Sequence, residues 1–170
     1  MRLRYVSTML ILLVVIGAPL AAVGEPEANY PEAHRDTALD VIAEHDQTTI
    51  AYEVFGDEFA EAIDTAPRHA FFVPTDAALE DWDPEQFTNE ELQVLVRRHI
   101  AVGSVAEGQI EFVDSFMTMD GQAIEVALDP EGRPVLNGTV TVLETIDVAY
   151  GVVYIIDGRL DDETLESERA

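Results

Sequence analysis

Apolar and polar positions along this chain change their period several times, and each change marks a different element. Residues 9–16 (MLILLVVI) are an unbroken apolar run, preceded by Arg2 and Arg4 and followed by GAPLAAVG, with small residues at Ala22 and Gly24. Residues 25–34 (EPEANYPEAH) carry two prolines and no period, which predicts an exposed linker. From Asp36 and Thr37, both able to cap a helix N-terminus, Leu39, Val41, Ile42, Ile50, Val54 and Phe55 fall at helical spacing. Gly56 is expected to break that helix, Phe59, Ala62 and Ile63 to add a further turn or two, and Pro67 to end it.

Next, His69–Val73 is a short apolar run stopped by Pro74, the pattern of a buried strand. Thr75-Asp76 before Ala77-Ala78-Leu79 predicts a capped helix start. Thr88 followed by Glu91 is a capping box, opening a helix with Leu92, Leu95, Val96 and His99 on one face. After Gly103 the period becomes two. Ile124, Val126 and Leu128 alternate with Glu125, Ala127 and Asp129, and Asp129–Gly132 turns the chain. Val135-Leu136 and Val140–Val142 flank Asn137-Gly138, a strong two-residue hairpin signal. Val152–Ile156 is apolar throughout, as in a central strand covered on both faces. Helices first and strands later predict one α+β domain.

Charge sharpens this picture. The 170 residues hold 34 Asp and Glu against nine cationic residues, a net charge of −25. Phosphate contacts would have to overcome that repulsion, so nucleic acid is excluded as a partner. No acid precedes Glu25. The positive start, apolar stretch and small residues predict a signal peptide over residues 1–24; an uncleaved anchor is the alternative, and the only route to a membrane. Cleavage would remove two Arg and no acid, moving the charge from −25 to −27. The organisation expected is a signal peptide at 1–24, a linker at 25–35, a domain at 36–162 and an acidic, solvated tail at 163–170.

All nine cations are Arg, with no Lys anywhere. Excess carboxylate without Lys suits a chain living in high salt, where self-repulsion is screened; a GC-rich genome is the alternative, which accounts for the Arg preference but not for the acid excess. Cysteine is absent as well, which excludes disulfides, thiolate metal sites and Cys nucleophiles.

Chemistry-bearing motifs are sparse. His99 has no neighbouring His or Cys in sequence, so it reads as a hydrogen-bonded core residue rather than a metal ligand. Asp76 reads as a cap and Asp157-Gly158 as a turn. Asp81, Asp83 and Glu85 alternate like calcium ligands, but Gln86 and Leu92 stand where such a loop needs Gly and Glu. No serine lies in a nucleophile elbow and no glycine loop cradles phosphate. No catalytic residue, metal or cofactor is expected, and the chain reads as a non-enzyme. Asn137-Gly138-Thr139 also fits a glycosylation sequon, compatible with an exposed turn.

Three strings resemble the signatures of the fasciclin (FAS1) domain. His69–Trp82, with Phe71-Phe72-Val73-Pro74-Thr75-Asp76-Ala77-Ala78-Leu79 at its centre, is similar to the first, T-x-F-A-P-T-D-x-A-F. Leu95–Gly103 is similar to the central L-L-x-Y-H-V-V-x-G. Gly151–Leu160 is similar to the second signature, N-G-x-x-H-x-I-D-x-V-L. Arg98 stands where the family has Tyr, Tyr150 where it has Asn, and Tyr154 where it has His.

The resemblance implies a single fasciclin-like domain, a seven-strand β-wedge with several helices packed on it. Its family-motif residues are Pro74, Thr75, Asp76, His99, Gly151 and Asp157. It also implies a secreted or cell-surface module making adhesion or matrix contacts with an extracellular protein or polysaccharide. Integrin-binding members use the Tyr-His segment and an Asp-Ile pair, so Arg98, Asp147 and Val148 become candidate partner contacts. A small carrier of a lipid or sugar, and a secreted hydrolase, are the alternatives from other functional classes.

Overall fold

The computed structural model describes residues 36–65, 68–103, 109–149 and 151–160, without the side chains of 62–65. The expected signal peptide, linker and acidic tail lie outside the described residues. Among the described residues three α-helices and seven strands follow in the order α1 (Ala38–Glu44), α2 (Thr49–Thr65), β1 (His69–Pro74), α3 (Asn89–Arg98), β2 (Ile100–Val102), β3 (Ser115–Met117), β4 (Ala123–Leu128), β5 (Pro134–Leu136), β6 (Val140–Val148) and β7 (Gly151–Ile156). This is the expected α+β arrangement.

The strands form one mixed sheet in the order β2-β1-β7-β6-β5-β4-β3. Among the described residues only β1 and β7 run parallel, from His69 opposite Gly151 to Pro74 opposite Ile156; every other neighbouring pair is antiparallel. A single bridge between Ala101 and Thr118 brings the two edges together, so the sheet curls almost into a barrel.

That curl creates two cores, and strand alternation divides β1 and β7 between them. Phe71, Val73, Val153 and Ile155 face the helices, where they pack with Ile42, Phe55, Phe59, Val96 and Ile100. Ala70, Phe72, Val152, Tyr154 and Ile156 face the inside of the curl, against Phe116, Ile124, Leu136, Val142 and Leu160. All six residues of each strand are buried. The unbroken apolar runs are therefore a requirement of position.

The starts of α1 and α3 follow the sequence closely. Thr37 and Asp40 form a capping box on α1, and Thr88 and Glu91 form one on α3. The helical break, however, falls at His45–Thr48 and not at Gly56, through which α2 runs on. Partners at the break outweigh a mid-helix glycine's cost of about 1 kcal/mol. The buried Thr48 hydroxyl donates to the Ile42 carbonyl at 2.7 Å, and Ile50 N–H donates to the Asp76 carboxylate at 2.8 Å.

In the second half Asn137 (φ 49°) and Gly138 (φ 75°) are both left-handed, as a type I′ turn requires. Leu136 pairs with Val140, so the loop has three residues rather than two. Inward alternation in β4 fades along the strand: Ile124 is 1% exposed, Val126 half-buried and Leu128 49% exposed. The β4–β5 end projects beyond the core that the pattern alone implied.

Candidate functional site

The residues singled out by the sequence gather around the β1–β7 pair and the end of α3, where backbone and side chain interlock. His99 is fully buried and closes α3. Its Nδ1 lies 2.9 Å from the Leu95 carbonyl, and its Nε2 lies 3.1 Å from the Leu160 N–H. An N–H donor at Nε2 and a carbonyl at Nδ1 select the neutral tautomer protonated on Nδ1. Its ring packs on Phe55 at 5.2 Å, and its carbonyl accepts from Phe72 N–H at 2.8 Å. Burial pushes the imidazole pKa down to about 4, with Arg98 and Arg159 adding to the fall and the Leu95 bond opposing it. One residue thus ties α2, α3 and the segment after β7 together through its ring and β1 through its carbonyl, with both ring nitrogens engaged.

Thr75 and Asp76 follow β1. Thr75 caps the short 3-10 turn Asp76–Leu79, its hydroxyl accepting from Ala78 N–H, and its own N–H continues the β1–β7 ladder to the Ile156 carbonyl. Asp76 serves a different helix from the one its sequence position suggests. Its carboxylate takes the second N–H of α2, 26 residues earlier, and its N–H donates to Gln47. An anion there also meets the positive end of the α2 dipole. Pro74 ends β1 opposite Ile156.

Gly151 opens β7. A Cβ built on it would overlap the His69 carbonyl oxygen and lie 3.1 Å from the carbonyl carbon. Only glycine lets β1 and β7 approach this closely. Asp157 closes the strand: its carboxylate accepts from Thr141 N–H at 2.6 Å, and its N–H returns to the Thr141 carbonyl. This pins β7 to β6 beside the irregularity between Val142 and Glu144.

The three candidate partner contacts are not brought together as one exposed patch. Arg98 is buried, bonded through Nε and Nη2 to the Asp120 carboxylate, both at 2.8 Å. Asp120 also accepts from the Thr118 hydroxyl. Val148 packs in the helix-side core. Asp147 is half-buried on the opposite face of β6, close enough to Tyr154 to help burial raise that phenol well above its ordinary range. Tyr154 stacks on Phe72 at 5.2 Å.

Asn137 is exposed; its side-chain oxygen accepts from Glu125 N–H at 2.9 Å, bracing β4. Asp83 caps the turn Pro84–Gln86 through Glu85 N–H. Among the described residues no three His, Asp or Glu side chains are placed to hold a metal. Sequence reasoning missed Asp120 and Thr48. Both act through contacts that no local pattern announces: Asp120 bonds across 22 residues to Arg98.

The fasciclin domain family model matches residues 47–161. Helix α1, which packs on the helix-side core, precedes the matched segment. No curated protein matches the chain. Among solved structures it is similar to a FAS1 domain pair from the insect cell adhesion molecule fasciclin I, with a TM-score of 0.63 and 17% identity. That likeness covers 77% of this chain but 52% of the other, so this chain spans about half the length of the pair. With its family model spanning most of the chain and its signature residues building the β1–β7 interlock, the chain belongs to the fasciclin domain family.

Proposed function

We propose that this chain is an exported binding module of the adhesion type, acting outside the membrane on a protein or polysaccharide partner. The observation that carries the reading is where the interior goes. Both sides of the β1–β7 pair are filled by the protein's own side chains, which favours action from the outer surface over enclosure of a lipid or sugar. His99 supports a non-catalytic role, because a general base needs a nitrogen within reach of substrate and both of its nitrogens are bonded to buried backbone. The solved relative is described as a cell adhesion molecule. Residues 1–24 supply the export signal in this reading, and among the described residues no helix is long and apolar enough to cross a membrane.

Beads coated with the purified chain test it directly. The expected outcome is retention on cell envelopes at molar KCl, abolished by protease treatment for a protein partner or by periodate for a polysaccharide. Retention no greater than that of uncoated beads overturns the proposal.

High salt belongs to the same reading. Carboxylates crowded on so small a surface repel over about 10 Å at 0.1 M salt and over about 3 Å at 1 M. Each exposed pair costs tenths of a kcal/mol, but dozens together rival a stability of about 5–15 kcal/mol. The melting temperature should therefore rise between low and molar KCl. Excluded salts such as sulfate also strengthen apolar burial, so the scan is repeated in sulfate and, to separate the two effects, at low salt and about pH 4.5, where protonation removes charge without added salt and should recover part of the stability if repulsion dominates. A melting point unchanged across the KCl range rules out the halophilic reading.

A further inference from the structure

Helix α2 carries a glycine that the fold does not use. Gly56 sits in the middle of a seventeen-residue helix, where glycine costs roughly 1 kcal/mol relative to Ala. Its φ is not positive, and an added Cβ would meet only the Tyr52 ring, at an ordinary 3.8 Å. No turn, close backbone approach or core contact explains it, in contrast to Gly151.

What the missing side chain leaves is a groove. Leu39 of α1 and Tyr52, Glu53, Gly56, Asp57 and Ala60 of α2 line an open pocket of about 270 Å³. Tyr52 and Gly56 are one helical turn apart, as are Glu53 and Asp57, so the aromatic wall and the two carboxylates stand side by side. Tyr52 is 43% exposed, at the edge of the buried stripe formed by Ala51, Phe55 and Phe59. The lining contains two acids, an aromatic ring and no cation.

We infer that this groove receives an arginine side chain presented by a separate partner protein. A guanidinium stacks on an aromatic face and forms paired hydrogen bonds with carboxylates, which a compact ammonium does less well. Its apolar stem lies along Leu39 and Ala60, as long cationic side chains commonly do on apolar surface. Stacking persists in the salt that screens exposed charge, and it holds the guanidinium in direct contact with the carboxylates, within the roughly 3 Å over which charge still acts at 1 M, so the site keeps selectivity where a bare acidic patch would lose it. The inference rests on the reading of the chain as a surface-acting binding module and names its partner's chemistry.

The experiment is an amide-shift titration of the purified chain with the peptide acetyl-Gly-Arg-Gly-amide and its citrulline counterpart, which keeps the shape and loses the charge. Saturating shifts at Leu39, Tyr52, Gly56 and Ala60 with the arginine peptide alone support the site. The double variant Glu53→Gln/Asp57→Asn should bind about tenfold more weakly, two exposed contacts together amounting to roughly 1.4 kcal/mol. Gly56→Leu should fill the groove and abolish the shifts while melting no lower than wild type.

Equal shifts with citrulline, or no shifts with either peptide, overturn the inference. A Gly56→Leu protein that melts well below wild type would assign the glycine to folding instead. Sedimentation showing self-association that the double variant removes would assign the groove to a second copy of this chain. The titration uses only purified chain and peptide, so it can fail while bead retention on envelopes stands, and the reverse.

Discussion

The central β1–β7 pair and the outer β3–β6 strands belong to one sheet but obey different rules. In the central pair every residue is buried, each strand serves two cores, and the backbones meet so closely that Gly151 cannot carry a side chain. In β4 only Ile124 is buried, and the hairpin at Asn137-Gly138 sits in solvent. Two of the family signatures lie on the central pair and its ends, and the third leads through α3 to His99; none lies between β3 and β6. Sequence identity is demanded where one residue must satisfy two constraints, and alternation suffices where it must satisfy one.

The comparison is broken most severely at Gly151. Gly151→Ala should cost roughly 3 kcal/mol or more, because the new methyl meets backbone that can move only by opening the β1–β7 ladder. Urea unfolding measures it, and a variant within 1 kcal/mol of wild type would mean that the pair tolerates separation.

Next comes His99. Burial holds its pKa near 4 against an ordinary 6.5, so between those values the unfolded chain binds a proton that the folded chain refuses. Stability from this group is complete above pH 6.5 and falls as pH drops towards 4, by about 3 kcal/mol over the interval. Protonation of repelling surface carboxylates works in the opposite direction at low salt. The informative measurement is therefore the wild type minus His99→Leu difference at each pH in molar KCl. A difference independent of pH from 7 to 4 would show that His99 is not buried neutral. At neutral pH, His99→Ala should cost about 1–3 kcal/mol by leaving the Leu160 N–H and Leu95 carbonyl without their partner.

Asp76→Ala removes a cap and a favourable dipole contact at the start of α2. The expected loss is about 1–2 kcal/mol, seen both in unfolding and in faster amide exchange at Ile50. Loss of stability without faster exchange there would place the effect elsewhere.

In the outer strands Gly138→Val forces a β-branched residue to φ 75°, and about 1–2 kcal/mol is expected. Gly138→Asn, which tolerates that conformation, should restore most of it. Should Gly138→Val exceed Gly151→Ala in cost, the contrast between the two regions would be reversed.

Much of the fold was legible because local chemistry and tertiary position agreed. The capping boxes at Thr37 and Thr88, the apolar runs of β1 and β7 and the Asn137-Gly138 turn each carry their own cause in adjacent residues. Legibility failed where a distant partner decided. Asp76 looks like a cap for the residues after it, and the structure gives its carboxylate to α2. Arg98 looks like a surface contact by its place in a motif, and Asp120 holds it in the interior. Gly56 looks like a helix breaker, yet packing on Phe55 and Phe59 carries α2 through it.

By itself the sequence determined the alternation of elements, the starts of α1 and α3, the Asn137-Gly138 turn conformation and the family, because these rest on spacing within a few residues. Only the tertiary structure decided that β1 and β7 lie side by side in parallel, that His99 has no nitrogen to spare, and that a glycine in α2 leaves a groove beside two carboxylates. Each depends on chain segments tens of residues apart meeting within a few ångströms, and no local period encodes where such segments meet.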